Sequence, residues 1–134
     1  MRSSLQSYRK VSLESEIAVA SPHRIIQMMF EGALQRIAQA KYAIQQKNPA
    51  QKGENIGKAV SIIAGLSGSL NMDAGADVSA NLDSLYEYML RRLSEANVAN
   101  DIEMLEEVSA LLRTIKEGWD TIPQDMHELT SEAS

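Results

Sequence analysis

The chain has 134 residues, with 44% hydrophobic and 4% aromatic side chains, no cysteine, and a formal net charge of −5 from 13 Lys+Arg against 18 Asp+Glu. A chain of this length buries most of its apolar side chains in one core, so a single domain is expected. The acidic balance lacks the positive field that nucleic acid demands and the sparse aromatics offer no stacking platform, while the missing cysteines exclude disulfides and thiolate chemistry and fit a cytoplasmic home.

Residues 1–20 read as an N-terminal arm. The run Met1-Arg2-Ser3-Ser4-Leu5-Gln6-Ser7-Tyr8-Arg9-Lys10 has no uninterrupted apolar stretch and makes a poor signal peptide. No segment of the chain approaches the roughly 20 apolar residues that span a bilayer, so membrane insertion is not expected. The arm nevertheless carries apolar residues at Leu5, Tyr8 and Val11.

The bundle proper is expected over 21–122. Ser21 as N-cap with Pro22 at the first helical position opens a helix over about 22–47, with Ile26, Phe30, Ala33, Ile37, Ala40 and Ile44 recurring at alternating spacings of four and three. Asn48-Pro49 repeats the signal and opens a second helix over about 49–71, with Ile56, Ala59, Val60, Ile63, Leu66 and Leu70 inward. Turn chemistry at Asp73-Ala74-Gly75-Ala76-Asp77 precedes a third helix over about 77–96, with Val78, Leu82, Leu85, Tyr86, Met89 and Leu93 on one face. A break over Asn97–Asn100 leads into a fourth helix over about 101–122, with Asn100 as cap and Glu103 completing a variant capping box. Its seam is Leu105, Val108, Leu112, Ile115, Trp119 and Ile122, and Pro123 ends it ahead of a polar tail over 123–134. Four amphipathic segments on short loops predict an all-α, antiparallel up-down four-helix bundle with an N-terminal arm.

Projection at about 100° per residue leaves apolar side chains that the core does not need. Ile25 flanks the first seam and Met28 lies nearly opposite Ile26. Ile62 and Tyr88 fall off the stripes of the second and third helices, and Met104 and Leu111 join Ile115 and Ile122 in a second row on the fourth. Single exposed apolar residues are ordinary on any surface. Rows that include the pliable Met28 and Met104 point instead to a partner, with Leu5, Tyr8 and Val11 as a candidate cover.

No catalytic constellation is found and no cofactor or metal is implied. His23 and His127 are the only histidines, and the Glu-x-x-His spacing of a bundle metal site is missing. His23, in the first turn, is expected on the surface. Gly65-Leu66-Ser67-Gly68 has no preceding strand and reads as close helix packing or fraying, while Arg9-Lys10 and Arg91-Arg92 read as solvated or snorkelling pairs.

Several runs bring one family to mind. Tyr8-Arg9-Lys10-Val11, then Ala20-Ser21-Pro22-His23-Arg24-Ile25-Ile26-Gln27-Met28-Met29-Phe30-Glu31-Gly32-Ala33, resemble the opening of the FliS family of flagellar secretion chaperones; Lys52-Gly53-Glu54, Asn81 to Leu93 and Asn100-Asp101 agree in order and spacing. The likeness covers about residues 5–122. It implies a non-enzymatic cytoplasmic four-helix chaperone that binds the disordered C-terminal segment of flagellin, blocks premature polymerisation and supports type III export. It also implies that the N-terminal segment, with Tyr8 and Val11 matching its motif, caps the bundle, and that Ile25, Ile26 and Met29 form the apolar start of the first helix. Met29-Phe30-Glu31 stands where many members have Leu-Tyr-Asp. The competing reading is a regulatory adaptor bundle that binds a folded flagellar regulator or export component; a phosphotransfer enzyme using His23 is the third.

Overall fold

The computed structural model describes residues 20–71 and 76–122. They form α1 (Pro22–Gln45), α2 (Pro49–Asn71), α3 (Ala76–Ala99) and α4 (Ile102–Asp120), with no strand among the described residues. Residues 1–19, 72–75 and 123–134 lie outside them, as do the side chains of Leu70 and Val78.

Each start has its cap. The Ser21 hydroxyl accepts from the Arg24 N–H (3.1 Å) with Pro22 next in the chain, and the Asn48 side-chain oxygen accepts from the Gln51 N–H (3.2 Å), so orphan donors of the first turns are satisfied. At α4 the cap is Asp101, not Asn100: the Asp101 carboxylate accepts from the Met104 N–H at 3.2 Å. Asn100 is instead in the left-handed conformation with φ 53°, and the Asp101 N–H reaches back to the Ala96 carbonyl (3.2 Å) to close a Schellman turn. Helix α3 therefore runs through Asn97 to Ala99 instead of breaking there.

The α1–α2 connection has the same design. Lys47 takes φ 56°, its N–H bonds the Ile44 carbonyl (3.1 Å), and the Asn48 N–H bonds that of Ala43 (2.9 Å). This ends α1 at Gln45, two residues before the expected limit. In both turns the residue that completes the Schellman motif also caps the next helix.

Contacts join α1 to α2, α2 to α3, α3 to α4 and α4 back to α1, closing a four-sided bundle. Its direction is read from cross-helix pairs. Met29 meets Gly65 whereas Arg36 bonds Asn55; Ser67 bonds Asp83 whereas Lys52 bonds Asn97; Gln27 bonds Asp120 whereas Lys41 pairs with Glu106. Neighbours are antiparallel throughout.

The core runs the length of the bundle: Ile26, Phe30, Ala33, Ile37 and Ala40 from α1, Ile56, Ala59, Ile63 and Leu66 from α2, Tyr86, Met89, Leu93 and Ala96 from α3, and Leu105, Val108 and Leu112 from α4. Each large side chain so buried contributes about 1.5–3 kcal/mol, which is what drives these amphipathic segments together. Burial pushes the Tyr86 hydroxyl well above the ordinary phenol pKa.

Two expectations are corrected here. His23 is not on the surface; it is 1% exposed and its ring stacks on Trp119 with centroids 4.7 Å apart and planes 9° from parallel. The reason is register: His23 lies three residues before Ile26 on the seam, and antiparallel packing brings the last turn of α4 against it. The α4 seam is also not uniform, because burial is complete through Leu112 while Ile115, Trp119 and Ile122 are half-buried.

Candidate partner-binding surface

Of the residues singled out by pattern, Leu5, Tyr8 and Val11 lie outside the described residues. The others divide between separate seams. Met29 and Ile62 sit where α1 meets α2: a Cβ built on Gly65 would lie 3.0 Å from the Met29 Cε, and one on Gly32 would lie 3.5 Å from the Ile62 Cδ1. Close helix packing thus accounts for Gly65, while Gly68 has open space around it. Ile25, four residues before Met29, shares its side of α1 and is half-buried, as is Met28.

The second group lies where α3 meets α4. Met104, Leu111 and Ile115 are half-buried and pack against the core edge. Their spacing puts them on one side of α4 together with Glu107, three residues after Met104 and four before Leu111. Glu107 fixes which neighbour that side faces. The Tyr88 hydroxyl donates to its carboxylate, 2.9 Å from one oxygen and 3.0 Å from the other, and the Arg92 Nε donates to it at 2.8 Å. Tyr88 and Arg92, one turn apart on α3, therefore grip α4 across the row. Ile122, just beyond the end of α4 with its N–H on the Trp119 carbonyl (3.2 Å), is half-buried. The apolar rows of α1 and α4 thus point to different furrows, not into the seam these two helices share.

The polar clamp is electrically self-consistent. Hydrogen bonds from Arg92 and then Tyr88 hold the Glu107 carboxyl below the ordinary carboxylate range, and the same bond to Glu107 raises the Tyr88 hydroxyl and the Arg92 guanidinium. Arg92 also reaches Glu95 at 3.0 Å, and the Arg91 and Arg92 guanidinium carbons each lie 5.9 Å from the Tyr88 ring centre. Arg92 is thus a clamp, not a snorkelling cation. Glu107 is not singled out by sequence, and Arg92 only as half of a solvated or snorkelling pair; the signal available was their placement one turn from Leu111 and Tyr88. Such a furrow offers methyl and thioether surface beside a fixed polar bar.

The α1–α4 seam differs. The Trp119 indole N–H donates to the His23 carbonyl (3.0 Å), Gln27 donates to Asp120 (2.7 Å), and Lys41 pairs with Glu106 (2.8 Å). Burial raises the Asp120 carboxyl, but hydrogen bonds from Lys116 and Gln27 outweigh it and the net displacement is downward. A cavity of about 310 Å³ opens on this side, where Lys41, Glu106 and Arg113 stand beside apolar Leu34, Ile37, Ala38 and Leu105.

The described residues thus form an all-α, antiparallel four-helix bundle with half-buried apolar residues along its seams, and no helix among them is long and apolar enough to cross a membrane. A family model described as Flagellar protein FliS matches residues 4–126, and the chain belongs to the FliS family of flagellar secretion chaperones. It is 47% identical over 131 residues to the Flagellar secretion chaperone FliS of Vibrio cholerae serotype O1, covering 98% of this chain and 96% of that protein. It is 48% identical over 118 residues to the Flagellar secretion chaperone FliSB of Pseudomonas aeruginosa (88% and 94% covered) and 41% identical over 121 residues to the Flagellar secretion chaperone FliS of Salmonella typhimurium (90% of each).

Proposed function

We propose that this chain is a cytoplasmic export chaperone that holds the disordered C-terminal segment of flagellin on its apolar seams, so that the subunit neither polymerises early nor folds before type III export. The observation that carries the reading is the Met104–Leu111–Ile115 row beside Tyr88: apolar side chains left half-buried along three turns of α4. An amphipathic segment laid into that seam completes their burial, and each anchor so covered contributes on the order of 1 kcal/mol. Ordering a disordered tail costs conformational entropy, so the second seam, with Ile25, Met29 and Ile62, supports the reading by extending the surface available. Met28 and Ile122 border these rows.

The arm over 1–20 belongs to the same proposal: Leu5, Tyr8 and Val11 cover part of a seam in the free protein and yield it to flagellin. Calorimetric titration against the C-terminal segment of the cognate flagellin tests the first claim, with binding at micromolar concentration or tighter expected. Absence of heat there, together with binding to a folded flagellar regulator, would replace this reading with the adaptor one. Hydrogen exchange of the arm tests the second claim, and protection unchanged by the peptide would overturn it.

A further inference from the structure

The end of the bundle that carries both Schellman turns holds a half-open cavity of about 390 Å³. Its floor is apolar, with Ile44 and Pro49, and its rim brings Lys47, Lys52 and Asn100 together. No carboxylate lines it, in a chain whose net charge is −5. The Lys52 ammonium is held in place by two oxygens, the Asn97 carbonyl at 2.7 Å and the Asn100 side chain at 2.6 Å, which leaves one of its three N–H donors. Neither lysine is paired with a carboxylate among the described residues. The second residue of interest is Lys47, which occupies a left-handed turn position where glycine is the usual choice, so the turn itself does not require its amine.

We propose that this cavity receives the terminal carboxylate and last side chain of the bound partner. The inference rests on the reading that the bound segment is the C-terminal end of flagellin, and adds to it an anchor. Two cations over an apolar floor suit a chain end, which brings a charge and a side chain on the same residue.

The test uses two peptides of the same flagellin C-terminal sequence, one a free acid and one a C-terminal amide, titrated calorimetrically into the full chain. The acid is expected to bind about tenfold more tightly, and to shift the backbone amides of Lys47, Asn48 and Asn100 where the amide does not. In Lys47→Gly the advantage is expected to shrink to about twofold; this variant keeps the turn because glycine adopts its φ without strain. Equal affinities for acid and amide would overturn the inference alone, as would an acid advantage that survives undiminished in both Lys47→Gly and Lys52→Gln. Binding of neither peptide would remove the flagellin reading and this inference with it.

Discussion

Helix α4 is bordered by two seams that use the same kinds of residue to opposite ends. Toward α1, the buried His23 ring stacks on Trp119, the indole N–H is spent on a backbone carbonyl, and Gln27–Asp120 and Lys41–Glu106 bonds close the edges. Toward α3, the polar groups gather into one bar, Tyr88–Glu107–Arg92, and the apolar residues on either side of it stay half-buried. A seam whose polar groups are paired along its length has its apolar surface interrupted by them, as in the α1–α4 cavity, where Lys41, Glu106 and Arg113 stand among the apolar residues. One whose polar groups are concentrated at a single level leaves apolar surface above and below, and that is the property a carrier of unfolded chain requires.

The comparison predicts that damage on the two sides separates stability from binding. Trp119→Ala, on the α1 side, should cost about 2–3 kcal/mol in urea unfolding, less than a fully buried indole because Trp119 is only partly covered, and should change flagellin-peptide affinity by no more than about twofold. A loss of affinity beyond tenfold in a variant that remains folded would erase the distinction. Leu111→Ala, on the α3 side, should cost only about 1 kcal/mol of stability, in keeping with its half-exposed methyls, and about tenfold in affinity. If the two variants behave alike, the α3–α4 seam is an ordinary edge of the core.

Much of this architecture is legible in the residues. Ser21-Pro22 and Asn48-Pro49 announce helix starts because a side-chain oxygen followed by a residue without an N–H answers a local need, and the three-and-four spacing of Ile26 to Ala40 answers an equally local one. What escapes is what depends on a second segment. Asn100 and Asp101 are both good caps, and the choice falls to Asp101 only because Asn100 is drawn into the left-handed turn that ends α3. His23 reads as a surface residue until antiparallel packing sets Trp119 against it. The rows on α1 and α4 are visible as rows, but the neighbour each faces is fixed by the closure of the square; Glu107, an acid in an apolar row, shows its role only once Tyr88 and Arg92 arrive from α3.

A smaller effect sharpens the comparison by changing α4 without removing anything. A Cβ built on Gly118 meets nothing within 4 Å, so Gly118→Ala should stabilise the protein by about 0.5 kcal/mol through helix propensity alone. Thermal unfolding measures it. A destabilised variant would mean that this side of α4 is already covered.

The smallest expected effect concerns the polar bar and is read from pH. Glu107 has its folded pKa depressed by the hydrogen bonds from Arg92 and Tyr88, so the unfolded chain takes up its proton first as the solution is acidified. The stability it contributes is therefore complete above the ordinary carboxylate pKa of about 4.3 and is lost as pH falls through the lower folded value. Because the Arg92 and Glu107 side chains remain 27% and 41% exposed, solvent and salt screen the interaction and the contribution is modest. In Glu107→Gln this part of the acid limb should disappear, so that the difference in stability between the parent and the variant is constant near neutral pH and narrows only as pH falls below about 4.3. A difference that stays constant from pH 7 to pH 3 would show that the bar holds α3 to α4 by shape and neutral hydrogen bonding, and that the furrow beside it can open without any change in charge.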